Sequence, residues 1–232
     1  EPTVIPNGVH VCQRSDEDDV LKRYELERGK YILAVGRFVP EKGFNDLVES
    51  FHRVSSMGER SSNRWKLVIV GDADHEDDFS RELKQRSSRI PDVVLTGFQN
   101  GKPLKDLYSH AGHFVLPSFH EGLPIVLLEA LSYGSSCLVS DIPANREVGL
   151  EDERYFKPGD INLMSRKLSE FMDKPATEEQ RLKRVKHIAD KYNWAHIAQK
   201  TLHVYQQVGS YGGLSSVNYE EKSVFAFGVN VN

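Results

Sequence analysis

The sequence predicts an α/β fold built on a doubly wound parallel sheet, and three observations carry that expectation. Short β-branched runs recur along the first two thirds of the chain. Each run is apolar at nearly every position rather than at every second one, the pattern of a strand covered on both faces. Helical patterns fill the gaps between runs, and βαβα order builds a parallel sheet.

Taken in order, "VIPNGV" (4–9) carries turn chemistry at Pro6-Asn7-Gly8, and the acidic run Asp16 to Asp19 favours a helix start. Strands are expected at "YILAV" (31–35), "KLVIV" (66–70), "VVL" (93–95), "HFVL" (113–116) and "CLVS" (137–140). The intervening helices run from Phe44 to about Met57, Asp77 to Ser88, Lys102 to Ala111 and Pro124 to Tyr133. Pro124 suits the first turn of its helix and Gly134 closes it. Three more helices follow the sheet, over 160–173, 177–191 and 194–208, with Asp160, Thr177 and Asn193 where N-caps belong. The expected organisation is a linker over 1–20, one domain over 21–208 and a tail over 209–232.

Length and composition narrow the function. At 232 residues the chain holds one sizeable core but not two full α/β domains. A net charge of −4 gives no global attraction to nucleic acid, and no apolar stretch is long enough to span a bilayer. Cys12 and Cys137 make no disulfide framework, and Cys137 in "CLVS" reads as a small buried hydrophobe. The N-terminus has no signal-peptide pattern and no initiator Met, which points to a cytoplasmic chain beginning inside a longer gene product.

Ligands of an open parallel sheet bind beyond the carboxyl ends of its strands, so the residues after each strand are the candidates. "GRFVPEKG" follows the first. Gly36 permits close backbone approach, Arg37 offers a planar fork of donors and Lys42 stands where the next helix begins, together an anion site suited to phosphate. A strand-ending Gly with two solvated charges accounts for the loop as well. Neither Gly-x-Gly-x-x-Gly nor Gly-x-x-x-x-Gly-Lys-Ser/Thr occurs, which removes dinucleotide dehydrogenases and P-loop ATPases. "GDADHEDDF" after the second strand reads as a solvated loop with helix-starting acids, and no metal site is expected. After the third, Thr96, Gly97 and Phe98 form either a rim against which a base lies or a turn with a core Phe.

"SFHEGLPIVLLEA" (118–130) follows the fourth strand. Glu121 stands at the helix mouth, and Glu129 sits inside an apolar run, roughly 8 Å along at about 1.5 Å per residue. A carboxylate so placed needs polar partners. Two acids flanking a helix N-terminus, with Arg37 opposite, match a ligand having hydroxyls at both ends and an anionic middle: a nucleoside diphosphate sugar. A structural acid at Glu129 and a loop charge at Glu121 are the alternative.

These residues resemble the retaining glycosyltransferases of family 4, with the GT-B fold. The likeness rests on "VIPNGV", "AVGRFVPEKGF", "LVIVGD", "VLTGF", "VLPSFHEGLPIVLLEALSYG", "VSDIPANREV" and "YNWAHIA", and covers residues 4 to about 207. It implies a Rossmann-like C-terminal, donor-binding half, and a catalytic set of Glu121, Arg37 and Lys42. Arg37 and Lys42 grip the diphosphate, Glu129 accepts from the ribose, and Glu121 lies near the sugar. Amides around Gly122, Leu123, Pro124 and Ile125, beside Ser118, complete the cradle. No cofactor or metal is implied. The donor is UDP- or GDP-linked, and a glycan or lipid-linked acceptor binds through an N-terminal domain outside this chain, with peripheral association at the inner membrane face. The alternatives are a non-catalytic nucleotide-sugar-binding scaffold and a related sugar-nucleotide epimerase or phosphorylase. The loop "GDADHEDDF" departs from the family in lacking a further glycine after Gly71-Asp72.

Overall fold

The computed structural model describes residues 3–57, 65–172, 174 and 176–211. Six parallel strands form one sheet: β1 Tyr31–Val35, β2 Lys66–Val70, β3 Val93–Gly97, β4 His113–Leu116, β5 Ser136–Ser140 and β6 Tyr155–Phe156, in the order β3-β2-β1-β4-β5-β6. The direction of winding reverses between β1 and β4, and a crevice forms at such a reversal. β6 is absent from the sequence expectation because two residues carry no periodicity.

All five residues of β1 are buried, as a central strand with two covered faces requires. Alternation then divides the core. Tyr31, Leu33 and Val35 join Leu107, Leu127 and Ile188 on one side, whereas Ile32 and Ala34 join Phe44, Leu47 and Leu168 on the other. The α-helices of the described residues are α1 Asp19–Arg23, α2 Phe44–Met57, α3 Asp78–Ser87, α4 Gly101–His110, α5 Ile125–Ser132, α6 Pro143–Arg146, α7 Ile161–Met172, α8 Glu178–Tyr192 and α9 Trp194–Tyr211. Cys137 is buried, and that burial pushes its thiol up to about 12.

Caps fix the helix starts. Asp77 and Ser80 form a reciprocal capping box, as do Thr177 and Gln180. Asp160 accepts from the Leu163 amide at 2.8 Å and Asn193 from the Ala195 amide at 2.7 Å.

The leading segment lies against the end of α8. Val9 bridges Asn193 in parallel and donates its amide to the Tyr192 carbonyl at 2.8 Å. Gly8 runs flat over Trp194, where a Cβ would stand 2.6 Å from the ring. At the other end α9 continues through Gly209 to Tyr211, past the expected boundary at 208. The rest of the expected tail, 212–232, lies outside the described residues.

Candidate functional site

The loops that follow β1 and β4 meet at the winding reversal. Gly36 donates to the Val70 carbonyl at 2.9 Å. Gly71 approaches so closely, at φ +140, that a Cβ there would fall 1.9 Å from the Gly36 oxygen. Only glycine fits that position. Pro40–Lys42 then form a single 3₁₀ turn, and Gly43 tucks beneath the β4 loop at φ +66, 2.4 Å from the Pro117 oxygen for a Cβ in its place.

This packing brings Lys42, Ser118 and Glu121 together. The Lys42 ammonium lies 2.7 Å from Glu121 Oε1, and Ser118 Oγ donates to the same oxygen at 2.6 Å. The side chains of Lys42 and Glu121 are 17% and 9% exposed, so the pair is largely withdrawn from water. The Phe119 amide donates to the Glu41 carbonyl at 2.8 Å, a second stitch between the two loops. Behind them Ser140 Oγ donates to the Ser118 carbonyl at 2.5 Å, and Asn145 Nδ2 donates to the Ser140 carbonyl at 2.9 Å. Sequence reasoning assigned nothing to Ser140 or Asn145. Ser140 closes the apolar run "CLVS" and so needs a partner once buried, whereas Asn145 stands among charged residues and carried no such signal.

Arg37 is not part of this cluster. Its guanidinium is exposed and pairs with Asp74 at 3.0 Å. Asp72 binds Lys84 at 3.0 Å, which holds its carboxyl below the usual range, and Asp77 caps α3. The acidic loop is therefore spent on ion pairs and a cap.

Helix α5 begins at Ile125 with Pro124 as its N-cap. Of the four amides expected to form a cradle, Pro124 has none, and Ile125 donates to the Leu123 carbonyl at 2.9 Å. Gly122 and Leu123 are what remain. Farther along, half-buried Glu129 accepts from the Tyr108 hydroxyl at 3.0 Å. Burial raises the Glu129 pKa above the ordinary carboxylate value, and the Tyr108 bond opposes that rise. Tyr108 is buried on α4 and stacks on Tyr133 with ring centres 5.4 Å apart. The sequence demanded a partner for Glu129 but could not single out a tyrosine on another helix.

Thr96, Gly97 and Phe98 end β3, two strands from β1. Thr96 is buried and Gly97 sits at φ +70. Phe98 is 72% exposed, which overturns the expectation of a core Phe there and leaves the rim arrangement. The left-handed turn at Gly97 carries the ring outward.

An open parallel sheet whose first loop, basic side chain and helix N-terminus come together where the winding reverses defines a doubly wound α/β domain, a class that binds ligands above such a reversal. Comparison with known proteins narrows that class. The family described as "Glycosyl transferases group 1" matches residues 16–191, and the chain belongs to it. O-antigen chain mannosyltransferase B of Escherichia coli is 26% identical over 187 residues, 81% of this chain and 48% of that protein. An uncharacterized glycosyltransferase of Methanocaldococcus jannaschii is 30% identical over 180 residues, 76% of this chain and 45% of that protein. The chain thus spans about half the length of these curated relatives. Among solved structures, Anabaena Alr3699/HepE in complex with UDP superposes with a TM-score of 0.73 at 17% identity, over 88% of this chain and 57% of that one. The fold is the Rossmann-like half of a GT-B glycosyltransferase.

Proposed function

We propose that this chain binds a nucleoside diphosphate sugar, UDP- or GDP-linked, and supplies the donor half of a retaining family 4 glycosyltransferase. The observation that carries the reading is the withdrawn Lys42–Glu121–Ser118 unit at the winding reversal. An ammonium has three donors, so Lys42 can keep Glu121 with one and meet a diphosphate with the others. Arg37 reaches the same phosphates by exchanging its exposed pairing with Asp74. Charge that develops on the leaving diphosphate is stabilised by these cations and the Gly122 and Leu123 amides, without a metal.

Glu129 takes the ribose diol. It already holds one neutral donor, and its raised pKa marks a carboxylate short of polar partners. Glu121, at the mouth, faces the sugar. Thr96 to Phe98 flank the base, for which the exposed Phe98 ring offers a platform. The superposition with a UDP-bound glycosyltransferase supports the donor class. Transfer goes to a hydroxyl of a glycan or lipid-linked acceptor, held by a domain beyond this chain. Among the described residues no helix is long and apolar enough to cross a membrane.

Calorimetric titration of the chain with UDP, GDP and ADP in EDTA tests the proposal. At least one diphosphate binds with micromolar affinity, about −8 kcal/mol, and EDTA leaves it unchanged. Absence of binding by all three would overturn the donor reading.

A further inference from the structure

A second polar cavity lies at the opposite end of the sheet. It holds about 160 Å³ beneath the amino ends of β1 and β4, lined by Arg14, Arg28, Arg181, His110 and Trp65. Its floor is set by tight backbone contacts. Gly29 donates to the His110 carbonyl at 2.8 Å, Gly112 donates to the Tyr31 carbonyl at 3.0 Å, and a Cβ on Gly112 would lie 2.4 Å from the Gly29 oxygen.

We propose that this cavity binds a small phosphate-type dianion. All three guanidinium groups are anchored by neutral backbone oxygens: Arg14 to the Ser109 carbonyl, Arg28 to that of Asp16 and Arg181 to that of Tyr133. Those bonds fix the forks in place without neutralising their charge. The carboxylates paired with this set, Asp18 and Glu178, stand 3.9 Å from Arg28 and Arg181, and neither lines the cavity. Burial and the neighbouring Arg14 hold the Arg181 pKa below its usual value, and burial with Arg28 and Arg14 does the same to His110.

Two buried donors among the lining residues also lack a hydrogen bond among the described residues: Trp65 Nε1, and Arg181 Nε, which has only the Glu178 carboxylate at 3.9 Å. A buried donor left unmade costs about 1–3 kcal/mol, so such groups signal a missing acceptor. Guanidinium forks from two loop segments and from α8 line the cavity, and a phosphate offers them more acceptor oxygens than a carboxylate does. The volume is well above the roughly 10–15 Å³ that one water requires, and it has room for a phosphate group. Lys42 and Glu121 lie at the other ends of the same strands, so this site is separate from the crevice and does not rest on the donor reading.

The test is a titration of the chain with inorganic phosphate at constant ionic strength, balanced with chloride, read by calorimetry and by indole fluorescence. Phosphate saturates a single site and shifts the emission. The Arg14→Gln/Arg28→Gln double variant weakens binding at least tenfold, whereas Arg81→Gln, at an exposed arginine of α3 that does not line the cavity, leaves it unchanged. Arg28→Gln alone, at a half-exposed side chain that spares the fold, weakens it about threefold. A phosphate response no different from chloride, equal affinity for acetate, or a loss as large in Arg81→Gln as in the double variant would each overturn the proposal.

Discussion

Glu121 and Glu129 flank the start of one helix, yet they meet desolvation in different ways. Glu121 is a largely buried side chain with a cation at 2.7 Å and a serine hydroxyl at 2.6 Å on a single oxygen. Glu129 sits in an apolar helix with a neutral phenol at 3.0 Å, and its pKa is raised by burial. The contrast teaches that the mouth is assembled by the protein's own charges, while the deeper acid is left short of donors. A ligand can therefore add more at Glu129 than at Glu121.

Loosening the mouth should give the largest effect. Gly43→Ala forces a Cβ to within 2.4 Å of the Pro117 oxygen at φ +66, and should cost about 3 kcal/mol or more. Urea denaturation measures it; an unchanged midpoint would mean that the two loops are not stacked as described. Next comes Lys42→Ala. It should weaken diphosphate binding by roughly ten- to a hundredfold, about 1.5–3 kcal/mol, and Glu121→Gln in that background should recover part of any lost stability. Additive losses in such a double-mutant cycle would show the pair to be uncoupled.

Glu129→Gln sharpens the other side of the comparison. A carboxyl whose pKa is raised on folding binds protons more readily in the folded state, so stability falls as pH rises from the ordinary carboxyl value through the raised one. The replacement amide cannot ionise, and Tyr108 can still donate to its oxygen. The variant should be more stable than wild type at neutral pH, lose that advantage below about pH 4.5, and bind nucleotide more weakly. Thermal unfolding across pH reads the first two, and a constant difference would assign the effect to packing. Smallest is Arg37→Ala, which removes an exposed ion pair and should move stability by less than about 0.5 kcal/mol while still weakening diphosphate binding. A large stability loss would place Arg37 in the structural network.

Most of the sheet was legible because a strand covered on both faces has to be apolar throughout, and "YILAV" or "KLVIV" admits few other readings. Gly36, Arg37 and Lys42 were legible as one loop and Glu121 as an acid at a helix mouth because chemistry after a strand is informative in a parallel sheet; Ser118 entered only with the family likeness, and Arg37 stands apart on Asp74. What stayed hidden depends on contacts distant in sequence. Tyr108 looks like any aromatic of an amphipathic helix until Glu129 is placed beside it. Asn145 and Ser140 hold up the Ser118 carbonyl from another strand and its following helix. Phe98 stayed ambiguous because hydrophobicity argues for burial, whereas the backbone at Gly97 decides which way the ring points.

The bridge between Val9 and Asn193 has a mechanical meaning. Chain arriving before Val9 and chain leaving into α9 are fastened at one corner, with Gly8 pressed on the Trp194 ring and the Val9 amide on the Tyr192 carbonyl. A pull on the leading segment is therefore borne first by that fastening and by the root of α9, and reaches the strands only after the corner has yielded.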